Sequence, residues 1–226
     1  AGTSHFLGQN FSKAQDILFQ AENGERQYAW TTSWGVSTRL VGALIMSHSD
    51  DDGLVLPPRL SPDQIVILPI YRDDSQRADV LNYAESLKGA LSSKSFLESP
   101  LRVAIDDRDM RGGEKKWHHV KRGVPIRIEV GPKDMEKDSV FVGRRDQSKS
   151  FGMNRDEFVA QVPAILGEMQ QNLFDRALKL RMDNTHDINN ESEFRDFFTA
   201  TNEDEFHGGF ANCHFADEQS IEPLLK

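Results

Sequence analysis

Cysteine is almost absent: Cys213 is the single one in 226 residues. One thiol excludes an internal disulfide and suits a reducing, cytoplasmic compartment. No uninterrupted apolar run approaches the ~18 residues of a membrane helix. The start lacks the basic stretch followed by an apolar stretch that marks a signal peptide, and Ala1 is not a methionine. Internal repeats and low-complexity tracts are missing too. So is an excess of positive charge: 27 Lys+Arg stand against 36 Asp+Glu, a net −9. Taken whole, that balance argues against a nucleic-acid partner.

The distribution of charge reverses the argument. Residues 101–149 hold 13 Lys+Arg against 9 Asp+Glu, whereas residues 183–226 hold 2 against 11. The middle segment is the only basic one, and the acidic end is repelled by a phosphate backbone.

Within Thr31–Ile45 one arginine, Arg39, opens an otherwise apolar stretch of Leu40, Val41, Ala43, Leu44 and Ile45. The pattern predicts a helix over about 36–47, buried nearly all round. A buried guanidinium costs several kcal/mol unless it is paired, and the nearest downstream acid, Asp50, is not at helical spacing. Its partner is then a distant carboxylate or an anionic ligand such as a nucleotide phosphate.

Residues 15–30 read as a β-hairpin turning at Asn23-Gly24. Leu54–Leu56 reads as a short strand, and Pro57-Pro58 with Ser61-Pro62 marks a boundary. Strand and helix then alternate. Gln64–Ile70 is an apolar run expected of a strand covered on both faces. Val80, Ala84, Leu87 and Leu91 step at helical spacing, Leu101–Ile105 is a second strand, and a short basic helix covers 114–121. Val124–Val130 and Val140–Gly143 follow as strands. The order implies parallel pairing and a mixed sheet of four or five strands. Asn154 and Glu157 suit a capping box for a long helix that Pro163 divides or kinks. Phe194, Phe197 and Phe198 form an apolar stripe, and Gly208-Gly209-Phe210 turns into a strand.

Three ordered blocks carry a family resemblance: Thr3-Ser4-His5-Phe6-Leu7-Gly8-Gln9-Asn10-Phe11, then Thr32-Ser33-Trp34-Gly35 with Ser37-Thr38-Arg39, then Gly53–Arg59. Together they resemble the end of a class II aminoacyl-tRNA synthetase catalytic domain, and within that class the prolyl-tRNA synthetases of the archaeal and eukaryotic type, which also occur in some bacteria. Gly123-Val124-Pro125-Ile126-Arg127-Ile128-Glu129-Val130-Gly131-Pro132-Lys133-Asp134, preceded by Asp106–Asp109, resembles the anticodon-binding domain of the proline and threonine branch. The resemblance implies an α/β, overall α+β, chain in three parts. Residues 1–60 would be the end of the class II antiparallel sheet with its third motif. Residues 61–153 would be an anticodon-binding α/β domain with a five-stranded mixed sheet. Residues 154–226 would be a helical linker and a small truncated carboxy-terminal α+β domain.

What the family implies for function follows residue by residue. The intact enzyme is a proline–tRNA ligase that joins L-proline to its tRNA through a prolyl-adenylate, with ATP and Mg²⁺, as a cytoplasmic homodimer. Arg39 matches the third signature arginine, and with His5 it is the catalytic candidate. Thr3, His5, Trp34, Ser37 and Arg39 are the ATP and proline candidates. Arg127 and Lys133 are the anticodon readers, expected on one exposed face near Lys115, Lys116 and Trp117. An arginine fork suits the O6 and N7 acceptors of guanine. Family members often carry a glutamate where Val120 stands. The first two class II motifs are missing, so the chain reads as a fragment unable to activate proline alone, with residues 1–60 its least stable part.

His207, Cys213, His214 and Asp217 invite a metal reading. Adjacent Cys213 and His214 chelate one ion poorly, and the family's zinc cysteines appear as Ala216 and Ile221, so no structural zinc is expected and Cys213 reads as a small buried hydrophobe. His118-His119 reads as exposed helix residues, and Asp50-Asp51-Asp52-Gly53 as a solvated turn. The rival to the enzyme reading is a non-catalytic, anticodon-binding-like module that contacts RNA or another protein.

Overall fold

A computed structural model describes residues 2–200, 202 and 208–214. The elements run β1 (Gly2–Gly8), α1 (Asn10–Ala14), β2 (Leu18–Gln20), β3 (Arg26–Tyr28), β4 (Thr31–Val36), α2 (Arg39–His48), β5 (Ile65–Pro69), α3 (Asp74–Ser92), β6 (Ser95–Phe96), β7 (Ser99–Pro100) and β8 (Val103–Ile105). There follow α4 (Gly112–Lys121), β9 (Ile126–Val130), α5 (Pro132–Glu136), β10 (Ser139–Arg144), β11 (Phe151–Asn154), α6 (Arg155–Asp183), β12 (Thr185–Asp187), α7 (Glu191–Phe198) and β13 (Phe210–Asn212).

The centre is a five-stranded mixed sheet in the order β11-β10-β9-β5-β8. β5 pairs in parallel with β8 and β9, while β10 runs antiparallel to both β9 and β11. Every residue of β5 is buried because both faces are covered. On one face α3 and α6 pack Val80, Ala84, Leu87, Phe158, Val162, Leu166 and Met169 against Ile65, Ile67, Ile126, Ile128 and Val142. Each such side chain contributes about 1.5–3 kcal/mol when fully buried. On the other face a thinner cluster of Val66, Leu68 and Val124 lies on the side of α4. Asp73 caps α3 by accepting from Ser75 N at 2.9 Å, and Asn154 caps α6 by accepting from Asp156 N and Glu157 N.

Several expectations are corrected. Pro163 does not divide its helix: α6 runs unbroken for 29 residues, its Phe158–Leu173 stripe held in the core. That packing offsets the lost hydrogen bond. Leu54–Leu56 is not a strand. It is an extended segment whose Leu54 N and Leu56 N donate to Lys121 O and Gly123 O. The helix that starts at Arg39 has no buried residue, and Leu40, Val41 and Met46 are 49%, 60% and 87% exposed. The hairpin β2–β3 forms as expected, with Leu18 opposite Tyr28. β1 and β4 make a two-stranded antiparallel ribbon. Phe210–Asn212 indeed forms a strand, parallel to β12.

Candidate nucleic-acid interface

In β9, Ile126, Ile128 and Val130 enter the main core, so alternation turns Arg127 and Glu129 to the opposite face. Arg127 is not on an exposed surface: it is only 7% exposed. Its Nε and Nη1 are buried and have no hydrogen-bond partner. Burial lowers its pKa, and the nearby positive charge of Arg145 lowers it further, while Glu129 opposes the shift. A desolvated guanidinium lacking a carboxylate is costly. Gly143 lies directly across the ladder from Arg127.

Glu129 is engaged, with Lys116 Nζ at 3.0 Å. Lys133 is exposed in the first turn of α5, just past the end of β9. Its short helix is fixed by Gly131 N donating to Asp134 Oδ2 at 3.0 Å. Trp117 is 46% exposed with Lys121 Nζ 5.8 Å above its ring. Val120 is buried, and its carbonyl accepts from Arg145 Nε.

Lys115, expected to add positive charge beside the anticodon readers, and His119, expected to be exposed, are both buried. Lys115 is 2% exposed and donates to Asp106 O at 3.2 Å. His119 is buried with Nε2 2.8 Å from Asp106 Oδ2, so it is not an exposed helix residue. The Asp106 carboxylate also accepts two bonds from Arg108, at 2.8 and 2.7 Å. Arg108 holds its pKa well below the usual carboxylate range against the effect of burial. For His119 burial lowers the pKa and outweighs Asp106. This is a structural knot tying α4 to the end of β8. Asp50 is likewise not a freely solvated turn residue, since both its oxygens pair with the Arg145 guanidinium.

At the other end of the chain, Thr3 and His5 share one face of β1, opposite Gly35 and Ser33 of β4. Trp34 pairs with Ser4 and therefore projects from the other face, 79% exposed. Ser37 Oγ accepts from Arg39 N at 3.4 Å as α2 begins. The Arg39 guanidinium has no partner among the described residues, and it is exposed. Thr3, His5 and Arg39 are each exposed. Cys213 is exposed rather than buried. His207 and Asp217 lie outside the described residues, and no group of three His, Cys, Asp or Glu side chains able to hold a metal gathers among those described.

Sequence reasoning reached Arg127 only through the family resemblance, expected it exposed, and missed Gly143, Arg145 and Asp50 as its surroundings. Their relation to Arg127 is set by the antiparallel return of β10 and by a contact 95 residues apart in sequence, which no local pattern encodes.

Residues 64–165 match the family described as anticodon binding domain. Over all 226 residues the chain is 62% identical to a proline--tRNA ligase of Rhodopirellula baltica, covering 44% of that protein. It is 54% identical over 201 residues to one of Bdellovibrio bacteriovorus, 88% of this chain and 40% of the relative. With proline--tRNA ligase 2 of Anaeromyxobacter dehalogenans it shares 46% over 234 residues, all of this chain and 46% of the relative. The chain is thus similar, over most or all of its length, to proline–tRNA ligases, and it spans less than half the length of these relatives.

Proposed function

We propose that this chain is the anticodon-reading portion, with part of the ATP site, of a ligase that activates L-proline with ATP and Mg²⁺ and transfers it to its tRNA. The observation that carries the reading is the Arg127 guanidinium, two of its nitrogens buried without partners, inside a segment matching an anticodon binding domain. Guanine O6 and N7 would satisfy that fork, and Lys133 would neutralise a neighbouring phosphate. Trp117 offers a ring for a base to stack on.

The proposed organisation is 1–60, the end of a class II catalytic domain; 61–153, the anticodon-binding domain; and 154–226, a linker and carboxy-terminal domain. Arg39 and His5 would act at the reacting centre, where Arg39 stabilises phosphate charge and Thr3, Ser37 and Trp34 help to form the ATP and proline site. Mg²⁺ supplies further charge neutralisation when bound. The intact enzyme would be of the archaeal and eukaryotic type, a cytoplasmic homodimer, without structural zinc. Metal analysis near one zinc per chain would overturn that last point.

Binding of RNA hairpins to the purified chain tests the reading. Arg127→Ala is expected to weaken a hairpin with the proline anticodon by about 1–3 kcal/mol, and to weaken one lacking its two guanines much less. Equal loss on both would refute base readout. Proline-dependent pyrophosphate exchange by the 226 residues alone is expected to be absent.

A further inference from the structure

The sheet face that carries Arg127 continues across two further strands. β10 pairs with β9 so that Gly143 stands opposite Arg127 and Phe141 opposite Glu129. On its other side β10 pairs with β11, where Gly152 stands opposite Phe141. Residues directly opposite one another share a face. Arg127, Glu129, Phe141, Gly143 and Gly152 therefore all lie on the side away from the main core. Their chain neighbours Ile128, Val140, Val142 and Phe151 pack into that core on the other side.

Phe141 is left bare on this face. It is 39% exposed, whereas Val140 and Val142 beside it are 1% and 0% exposed. β10 is an interior strand, flanked by β9 and β11, where cross-strand side chains ordinarily pack on a ring. Gly152 brings no side chain to it, and a Cβ there would meet nothing within 4 Å. Glu129, on the other side, is drawn to Lys116 Nζ at 3.0 Å. That pairing also offsets the one charge on this patch that would hold off an RNA backbone. A bare aromatic ring thus lies one row along the sheet from a guanidinium with two buried nitrogens unpartnered.

We propose that Phe141 is a base-stacking residue, whose ring takes the nucleobase next to the one that reaches Arg127. Gly143 and Gly152 keep the sheet low enough for both bases to lie on it. The occupant is single-stranded RNA. Unpaired N–H groups in a fork call for acceptors such as guanine O6 and N7. A bare ring on the same face calls for a flat partner, and a splayed single strand supplies both at once. A duplex does not, because its bases are already stacked on one another. Stacking tolerates any base, so Phe141 adds affinity and holds the strand in place while Arg127 discriminates. The inference rests on the RNA reading of the Arg127 site and adds a second base position to it.

The test is fluorescence anisotropy of the 226-residue chain with RNA hairpins bearing the proline anticodon, intact or with one abasic nucleotide placed at each loop position in turn. Phe141→Leu and Phe141→Thr both remove the ring, and Thr suits a solvated strand face. Each is expected to weaken the intact hairpin about tenfold. Phe141→Tyr keeps the ring and is expected to bind within about twofold of wild type. One abasic hairpin, its gap beside a guanine, is expected to bind wild type and Phe141→Leu equally, because ring and base form a single contact. Ring-less variants that bind the intact hairpin as tightly as wild type would overturn the stacking role. So would a loss that persists on every abasic hairpin, the mark of a ring that only supports the sheet. If Arg127→Ala weakens the intact hairpin while the ring-less variants do not, the RNA reading stands and this inference falls. A wild-type chain that binds no hairpin at all would overturn the RNA reading, and this inference with it.

Discussion

Gly143 of β10 faces Arg127 of β9 across the antiparallel ladder, and a Cβ added at Gly143 would lie 3.1 Å from Arg127 Nη2 and 3.2 Å from Ser150 Oγ. The guanidinium occupies the space that a side chain would otherwise fill. Gly143→Val is therefore expected to cost about 1–3 kcal/mol of stability and to weaken hairpin binding by displacing Arg127. In an Arg127→Ala background the same change should cost less, because the crowded partner is gone. Urea unfolding of the two singles and the double measures this; strict additivity would disprove the contact.

An arginine kept buried without a counter-ion lowers stability. Arg127→Met keeps the length, removes the charge and leaves no polar atom unpaired. It is expected to raise unfolding stability by about 1–2 kcal/mol while abolishing discrimination for guanine. A variant less stable than wild type in urea would show that the guanidinium is satisfied in solution.

The Asp106 knot gives a pH signature. The folded-state pKa of Asp106 is depressed, chiefly by Arg108, so its contribution is present above the ordinary aspartate value of about 3.9 and is lost as pH falls below it. His119 is depressed as well, by burial, so the fold prefers it neutral and stability declines once pH drops below about 6.5. Stability is thus expected to fall with acid in two stages. Asp106→Ala should cost about 1.5–3 kcal/mol at neutral pH, with the two unfolding curves converging in acid. Parallel curves from pH 7 down to 3 would contradict this account.

The joint between Gly53 and Lys121 makes a sharper mutational claim. Gly53→Ala must adopt φ +127° and drive its Cβ into backbone, a clash that no rotamer change relieves. About 2–3 kcal/mol of destabilisation is expected. Amide exchange should speed first at Leu54 and Leu56, whose donors cross the joint. Unchanged exchange there would mean that the segment is not held as described.

Much of this was readable from the sequence alone. The apolar run Val124–Val130 marked the strand that became β9, although the exposed position expected of Arg127 was not met. The 4-3-4 spacing of Val80, Ala84, Leu87 and Leu91 defined the buried stripe of α3, and Asn154 marked the start of α6. These signals are local, because the periods of strand and helix are written in consecutive residues. Tertiary structure decided the rest. It paired Asp50 with Arg145, set Gly143 against Arg127, buried Lys115 and His119 around Asp106, and left α2 exposed. Such outcomes depend on which surfaces meet across long stretches of chain. A residue's charge is written in the sequence; whether that charge is solvated, paired or stranded is determined only when the fold brings its neighbours to it.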